Sequence, residues 1–358
     1  MSCNKCVLPL LQTTMKKKIK YQIKITFDKA RPECSIGHFL SPYKGSKGNL
    51  DSLTFNNNLL RIDFERSKLY TEQEILSNNK NSVYEQVQKG LLAYYAMATT
   101  YPIIKKCTLL IFSRDKVIVD FTSMLNQPIR LGADKKLAIS YQNSIRILQN
   151  DSKGIALRSA ISYWLTGMCS VDLYQKFDKL WRAFDRILLY EANTVREKDG
   201  IKSIKTFLRN NSSKFNHSID YAKKFPINTN LMSWGKLFMD KPADIRRKMT
   251  EYSDYRIISI YNKVFFDRKI QKELTSRSET QDVLNHFLLH NASVNEIELV
   301  LVLSLTYTYF IRCKMFHAEF PDSSFKLIST YEDKIINALS GLLEIVVQEL
   351  IEVQALLR

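Results

Sequence analysis

Alternation of apolar and polar positions with period two marks the first third of the chain. Tyr21-Gln22-Ile23-Lys24-Ile25-Thr26-Phe27 has the pattern of a strand buried on one face only. Leu59–Phe64 and Cys107–Phe112 look similar, Val117–Phe121 is a fourth candidate strand, and Ser82–Ala98 fits a helix between strands. Ser41–Asn49 mixes Pro42, Gly45 and Gly48 with lysines, which predicts a loop. After about Asp151 the period changes. Phe177, Leu180, Trp181, Phe184, Ile187 and Leu188 recur at three- and four-residue spacings, the apolar stripe of a helix over Leu173–Tyr190.

Helical texture continues from there. Lys202–Leu208 reads as a short helix and Asn210–Ser218 as a polar loop. Phe238–Tyr255 is basic and broken near Pro242, Tyr255–Phe265 is apolar, and Thr280–Leu289 is helical. Ser293 with Glu296 three residues on has the form of a capping box, which would open a largely apolar helix ending near Phe316. Phe325–Leu357 is a last helical region. The expected class is therefore α+β, with a strand-containing module over 1–150 followed by an all-helical domain over 151–358.

Composition narrows the function classes. The 358 residues are 45% hydrophobic, so the chain buries enough to fold as two domains, and 53 Lys and Arg against 36 Asp and Glu leave a net charge of +17. That excess favours an anionic partner, nucleic acid before membrane. With 10 glycines, none of them in a GxGxxG or GxxxxGK[ST] pattern, the classical nucleotide-binding loops are excluded. The longest apolar stretch, from Leu299 into Thr306–Phe310, is bounded by Glu298 and Arg312 and is too short to span a bilayer. Six cysteines without a secretory leader point to the cytoplasm and free thiols. Cys3 and Cys6 form one CxxC with only Cys34 and His38 near enough in sequence to complete a zinc site, and His286 and His290 lack a third ligand. No metal and no cofactor is expected.

One run carries chemistry: Tyr309-Phe310-Ile311-Arg312-Cys313-Lys314-Met315-Phe316-His317, at the polar end of the apolar helix. Histidine moves protons near neutral pH, and arginine holds a phosphate through two parallel hydrogen bonds and stabilises charge that develops on it. Together they suit cleavage of RNA, whose 2′-hydroxyl is an internal nucleophile. In a regular helix five residues turn about 500°, which leaves Arg312 and His317 roughly 140° apart. They converge if the helix distorts near Phe316 or if two copies meet across a dimer interface. The bland alternative makes His317 a helix C-cap residue.

The run Ile311–His317 resembles the R-x4-6-H motif of HEPN domains, an all-helical superfamily that processes nucleic acids. Arg312, Phe316 and His317 match; Cys313 stands where Asn is common and Ala318 where Gly is common. Phe177-Asp178-Lys179-Leu180-Trp181-Arg182-Ala183-Phe184-Asp185 is similar to the F-x-x-L-W-x-A-L/F-E pattern of an early helix in the same domains. The resemblance covers about 151–358. It implies a helical HEPN-like bundle and a metal-independent endoribonuclease that leaves a 2′,3′-cyclic phosphate. Homodimerisation through this domain, and a role in anti-phage defence or as a toxin, are also implied. Arg312 would be the phosphate-binding residue and His317 the acid–base.

Around this pair, Lys314 and the patch Arg246-Arg247-Lys248 are candidate RNA contacts. Asp178, Asp185 and Glu191 are candidates for a hydrogen bond that holds Arg312 or His317 in place. The N-terminal module would sense, restrain or target the nuclease, which leaves room for a regulatory protein or trigger. The competing reading is a catalytically inactive HEPN-like dimer that binds nucleic acid or a partner protein. A DNA enzyme is weaker, because no carboxylate cluster suits two-metal chemistry.

Overall fold

The computed structural model describes residues 18–28, 37–43, 48–71, 74–75, 81–113, 115–120, 137–224, 297–316 and 326–353. The expectations for Phe238–Tyr255, Tyr255–Phe265, Thr280–Leu289 and the Ser293–Glu296 capping box lie outside them. So do Cys3, Cys6, Cys34, His286 and His290. The fold is α+β. It divides into two units, Met1–Leu91 with Ile103–Asn126, and Leu92–Pro102 with Gln127–Arg358.

The first unit is a six-stranded antiparallel sheet in the order β2-β3-β4-β1-β5-β6. Its strands are β1 (Ile19–Phe27), β2 (Gly37–Pro42), β3 (Leu50–Asn56), β4 (Leu59–Arg66), β5 (Ile104–Ser113) and β6 (Asp115–Asp120). Alternation sorts the side chains as expected. Tyr21, Ile23, Ile25 and Phe27 are buried, and the register sets Ile23 opposite Ile62 on one side and Leu109 on the other. Helix α1 (Ser82–Met97) begins in this unit. Gly90 is where the helix and the sheet come closest, since a Cβ there would lie 2.9 Å from Leu60 Cδ2. Asn57 makes the β3–β4 hairpin with φ of 34°, a left-handed conformation that asparagine tolerates better than most residues.

Two strands escaped the sequence pattern. In β3 the buried positions are Asp51, Leu53 and Phe55, and in β2 they include Gly37 and Ser41 while Leu40 points outward. The predicted Ser41–Asn49 loop therefore begins with the end of β2. Polar groups enter this core because each finds a partner. Arg66 grips Asp51 through both terminal nitrogens at 2.8 and 2.7 Å, with both residues almost fully buried, and its Nε donates to Ser82 Oγ at 3.2 Å. Ser41 donates to Gln86, and the buried Lys89 donates to Pro42 O at 2.8 Å and pairs with Glu85 at 3.0 Å.

The second unit is built from helices. These are α2 (Tyr141–Arg146), α3 (Ser152–Met168), α4 (Leu173–Glu191), α5 (Glu197–Asn210), α6 (Asn216–Lys223), α7 (Ile297–Phe316) and α8 (Tyr331–Val353). Asp151 and Asp172 cap α3 and α4 by accepting from Gly154 N and Gln175 N, each at 2.7 Å. The α4 stripe is buried, together with Trp164 and Leu165 of α3 and Ile336, Leu339, Leu343 and Val346 of α8. Gly167 admits Leu180 at a distance of 2.8 Å from where its Cβ would be. Asn210–Ser218 is not the expected loop: a 3-10 turn occupies Ser212–Lys214 and α6 starts at Asn216. Glu349 of α8 supplies the missing cap, accepting from the backbone nitrogens of His217 and Ser218 and from the Ser218 hydroxyl. No described helix is long and apolar enough to cross a membrane.

Burial raises the Asp51 carboxyl above its ordinary value even beside Arg66, so the pair stands only while both partners are present. Arg66→Met is expected to cost about 3 kcal/mol of stability at pH 7, read as a drop in the urea midpoint. A cost under about 1 kcal/mol would show that Lys89 alone compensates Asp51.

Candidate functional site

Helical spacing sets Tyr309, Arg312, Cys313 and Phe316 of α7 on one face, at positions i, i+3, i+4 and i+7. Leu301 and Leu305 continue this stripe toward the start of the helix, and the opposite face buries Tyr307 and Ile311. The Arg312 face meets the side chains of α4 and α5. Trp181, almost wholly buried, donates its indole N–H to Glu197 Oε1 at 3.0 Å. The other oxygen of Glu197 pairs with Arg312 Nη1 at 3.2 Å. The Arg312 guanidinium carbon lies 4.1 Å from the centre of the Phe316 ring and 5.9 Å from the Trp181 ring, and Tyr309 packs 6.0 Å from Trp181, ring centre to ring centre.

Glu197 reaches this position through Gly200. A Cβ at Gly200 would fall 2.0 Å from Leu188 Cδ2, so only glycine lets the first turn of α5 press onto the end of α4. Glycine inside a helix costs about 1 kcal/mol relative to alanine, and the close approach offsets it.

Two polar atoms in the cluster are buried without a hydrogen-bond partner: Arg312 Nε and Asp185 Oδ1. Asp185 lies one turn along α4 from Trp181. Burial foremost, then the Glu197 carboxylate, push its carboxyl up to about 6, against partial relief from Arg312 and Arg186. Burial also raises the Tyr309 phenol, with Cys313 and Glu197 adding to it, so the hydroxyl stays protonated at neutral pH. The cluster thus holds an arginine with a spare donor, a glutamate tied to Trp181 and Arg312, one carboxyl that exchanges its proton near pH 6, and an aromatic lid in Phe316, which is half exposed. Such a set can take an anion at Arg312 and shift protons locally.

The residues expected from sequence separate into groups. Asp185 and Arg312 come together electrostatically. Asp178 is taken by Arg182, one turn along α4, at 2.9 Å. Glu191 closes α4, six residues or roughly 9 Å of helix rise beyond Asp185. Lys314 lies about 200° round the helix from Arg312, with its ammonium 5.0 Å from the Phe310 ring. His317, Arg246, Arg247 and Lys248 lie outside the described residues. Glu197 was not anticipated. As an acidic residue in the first turn of a helix it looks like an ordinary response to the helix dipole, and Gly200 was the one hint that this turn packs closely.

Among the described residues no group of three or more His, Cys, Asp or Glu is placed to hold a metal ion. Comparison with known proteins finds no matching family model, no matching curated protein and no matching solved structure.

The Asp185 carboxyl gives the unit a pH signature. Below about pH 4 it is protonated in both folded and unfolded chains. Between its ordinary 3.8 and about 6 the unfolded chain ionises first, so stability falls as pH rises through that window. Asp185→Asn, which removes this penalty, is expected to exceed the parent in stability by about 1 to 2 kcal/mol at pH 7, after allowance for partial exposure. The gain should vanish near pH 3.5. Urea midpoints at the two pH values test this, and a lower midpoint for the variant at pH 7 would mean that an ionised Asp185 is a favourable partner of Arg312.

Proposed function

We propose that the helical unit is a HEPN-like domain acting as a metal-independent endoribonuclease. The observation that carries this reading is the state of Arg312. Its guanidinium is oriented by Glu197 and bracketed by Phe316 and Trp181, yet keeps a buried Nε donor without a partner. A phosphodiester oxygen would satisfy that donor, and a charge-assisted hydrogen bond of this kind is about twice as strong as a neutral one.

In this mechanism His317 removes the proton from the ribose 2′-hydroxyl. The oxygen attacks the adjacent phosphorus, the bond to the 5′-oxygen breaks, and a proton is delivered to that leaving oxygen. Arg312 holds the non-bridging oxygens as their charge grows. The products are a 2′,3′-cyclic phosphate and a 5′-hydroxyl end. Every electron pair stays within the phosphodiester and every proton passes through His317 or water. Arg312 and His317 diverge in a regular helix; a second copy of the chain in a homodimer, or a distortion of the chain near Phe316, would bring them together. Lys314 and Arg246-Arg247-Lys248 would contribute along the RNA backbone, and Asp185 would act on Arg312 through charge. The setting that fits is the cytoplasm, in anti-phage defence or as a toxin, under a regulatory protein or trigger.

A second reading has its own observation. An arginine already paired with a carboxylate and stacked on an aromatic ring is also what a structural tie between two helices needs. On that reading the protein is an inactive HEPN-like dimer that binds RNA or a partner.

Purified full-length protein incubated with RNA in EDTA is expected to cut it and leave cyclic phosphate ends. His317→Ala and Arg312→Ala should each lower the rate by about 100-fold or more while the folded, dimeric state is retained. Cleavage that survives both substitutions would exclude this site. Absence of cleavage by the parent, with dimerisation and RNA binding intact, would favour the second reading or an effector awaiting its trigger.

A further inference from the structure

The two faces of the sheet differ sharply. One carries the buried residues of β1, β3, β4 and β5; the other leaves exposed or half-exposed side chains on each of β1 to β5. On that outer face the register aligns Ser52, Asp63, Gln22 and Leu110 in one row across four strands, with Leu40 of β2 at its end. A neighbouring row brings Thr54, Arg61, Lys24 and Thr108 side by side. Near the start of β1 the face deepens into a concavity of about 520 Å³, with Lys18, Lys20, Tyr43, Asn49, Arg61 and Phe112 among its walls.

That volume falls within the range of sites for small ligands or single nucleotides. Its chemistry is mixed in an informative way. Phe112 is 38% exposed, and Leu50 on the opposite side is 48% exposed, so the concavity has an apolar flank on each side. The floor has donors and acceptors held in place: Gln22 donates to Asp63 at 2.6 Å, and Arg61 reaches Asp63 through Nε at 2.7 Å and Nη2 at 3.0 Å. On β1, β4 and β5 and their rim, Lys18, Lys20, Lys24, Arg61 and Lys106 belong to this face against Asp63 and Glu65, and those two carboxylates are paired with Arg61 and Lys20.

We propose that this face binds single-stranded RNA. Phe112 offers a stacking platform, Asn49 and Ser52 present polar groups to base edges over the Gln22–Asp63–Arg61 floor, and the lysines follow the phosphates. An exposed sheet with an aromatic and a cationic surround is the surface on which unstacked bases lie flat, two or three to a four-stranded face. A protein partner suits it less, because lysine is depleted in the cores of protein–protein interfaces. The inference rests on the reading of the protein as one that acts on RNA. It assigns substrate capture to the sheet unit and chemistry to the helical unit.

The test uses full-length protein carrying Arg312→Ala, in EDTA, and a fluorescein-labelled single-stranded RNA of mixed sequence. Phe112→Ala is expected to weaken binding about tenfold. Lys20→Gln with Lys24→Gln should make the dependence of log Kd on log salt shallower by about 1.4. Photocrosslinking of a 4-thiouridine version to the otherwise unaltered sheet should label peptides within 18–66 or 104–113, which decides the matter even if a sheet variant folds poorly. Affinities within twofold of the parent in both sheet variants, crosslinks confined to the helical unit, or equal affinity for the annealed duplex would each overturn the proposal. Cleavage by the protein with intact Arg312 is scored separately. Sheet-dependent binding without cleavage discards the ribonuclease and keeps the RNA-binding face, whereas cleavage with unchanged binding in the sheet variants does the reverse.

Discussion

Trp181 is almost completely inside the helical unit but carries an N–H that needs an acceptor there, and the arrangement of the site follows from how that need is met. The acceptor is Glu197, sixteen residues on across the turn between α4 and α5. Bringing a carboxylate to the edge of an apolar core requires a counter-charge, and Arg312 of α7 provides it. Two consecutive helices and a third far along the chain are thereby fixed at one point. Asp185, half-buried beside the Glu197 carboxylate, holds its proton more strongly than a surface aspartate does, through burial first and the Glu197 charge second.

The sheet unit handles buried polarity in another way. Asp51, Arg66, Ser41, Gln86 and Lys89 sit at the end of a core that is otherwise aliphatic and aromatic, and every one of them has a partner. The Arg66 guanidinium carbon also lies 3.8 Å from the centre of the Tyr43 ring. A network satisfied to this degree fixes strand register, because sliding β3 by one residue would pull Asp51 out of reach and turn Leu53 and Phe55 to the solvent. Nothing of this kind is left over for chemistry. In the helical unit, by contrast, the cluster keeps a donor and an acceptor unused.

What could be seen in the sequence follows the same division between local and distant causes. β1 and β4 were legible because their alternation is clean, β5 and β6 as short apolar, β-branched runs, and α4 because six apolar residues share one stripe. β2 and β3 were not, since their inward positions hold Ser41 and Asp51, whose place depends on α1 and β4. α6 hid inside a polar run because its cap is supplied by Glu349, more than a hundred residues away. Arg312 was recognisable from its spacing to His317 and its place at the end of an apolar helix. Glu197 was not, for the property that matters, its closeness to Trp181 and Arg312, is created by the packing at Gly200 and leaves no periodic trace.

The long reach of α8 has a consequence for how the protein is made. The acceptor for the Trp164 indole is the carbonyl of Glu344, 180 residues later, and the partner of Tyr174 is Asp333, 159 residues later. At ribosomal speed that separation corresponds to a delay of roughly 10 to 40 seconds between synthesis of α3 and arrival of the helix that covers it. For that time the tryptophan- and phenylalanine-rich faces of α3 and α4 are available to any apolar surface in the cell. The sheet unit gathers its described strands within the first 120 residues and has no such wait. A chaperone that shields nascent helices should therefore matter to one half of this protein and hardly to the other, and whatever the helical unit does, it begins only after the final helix has docked.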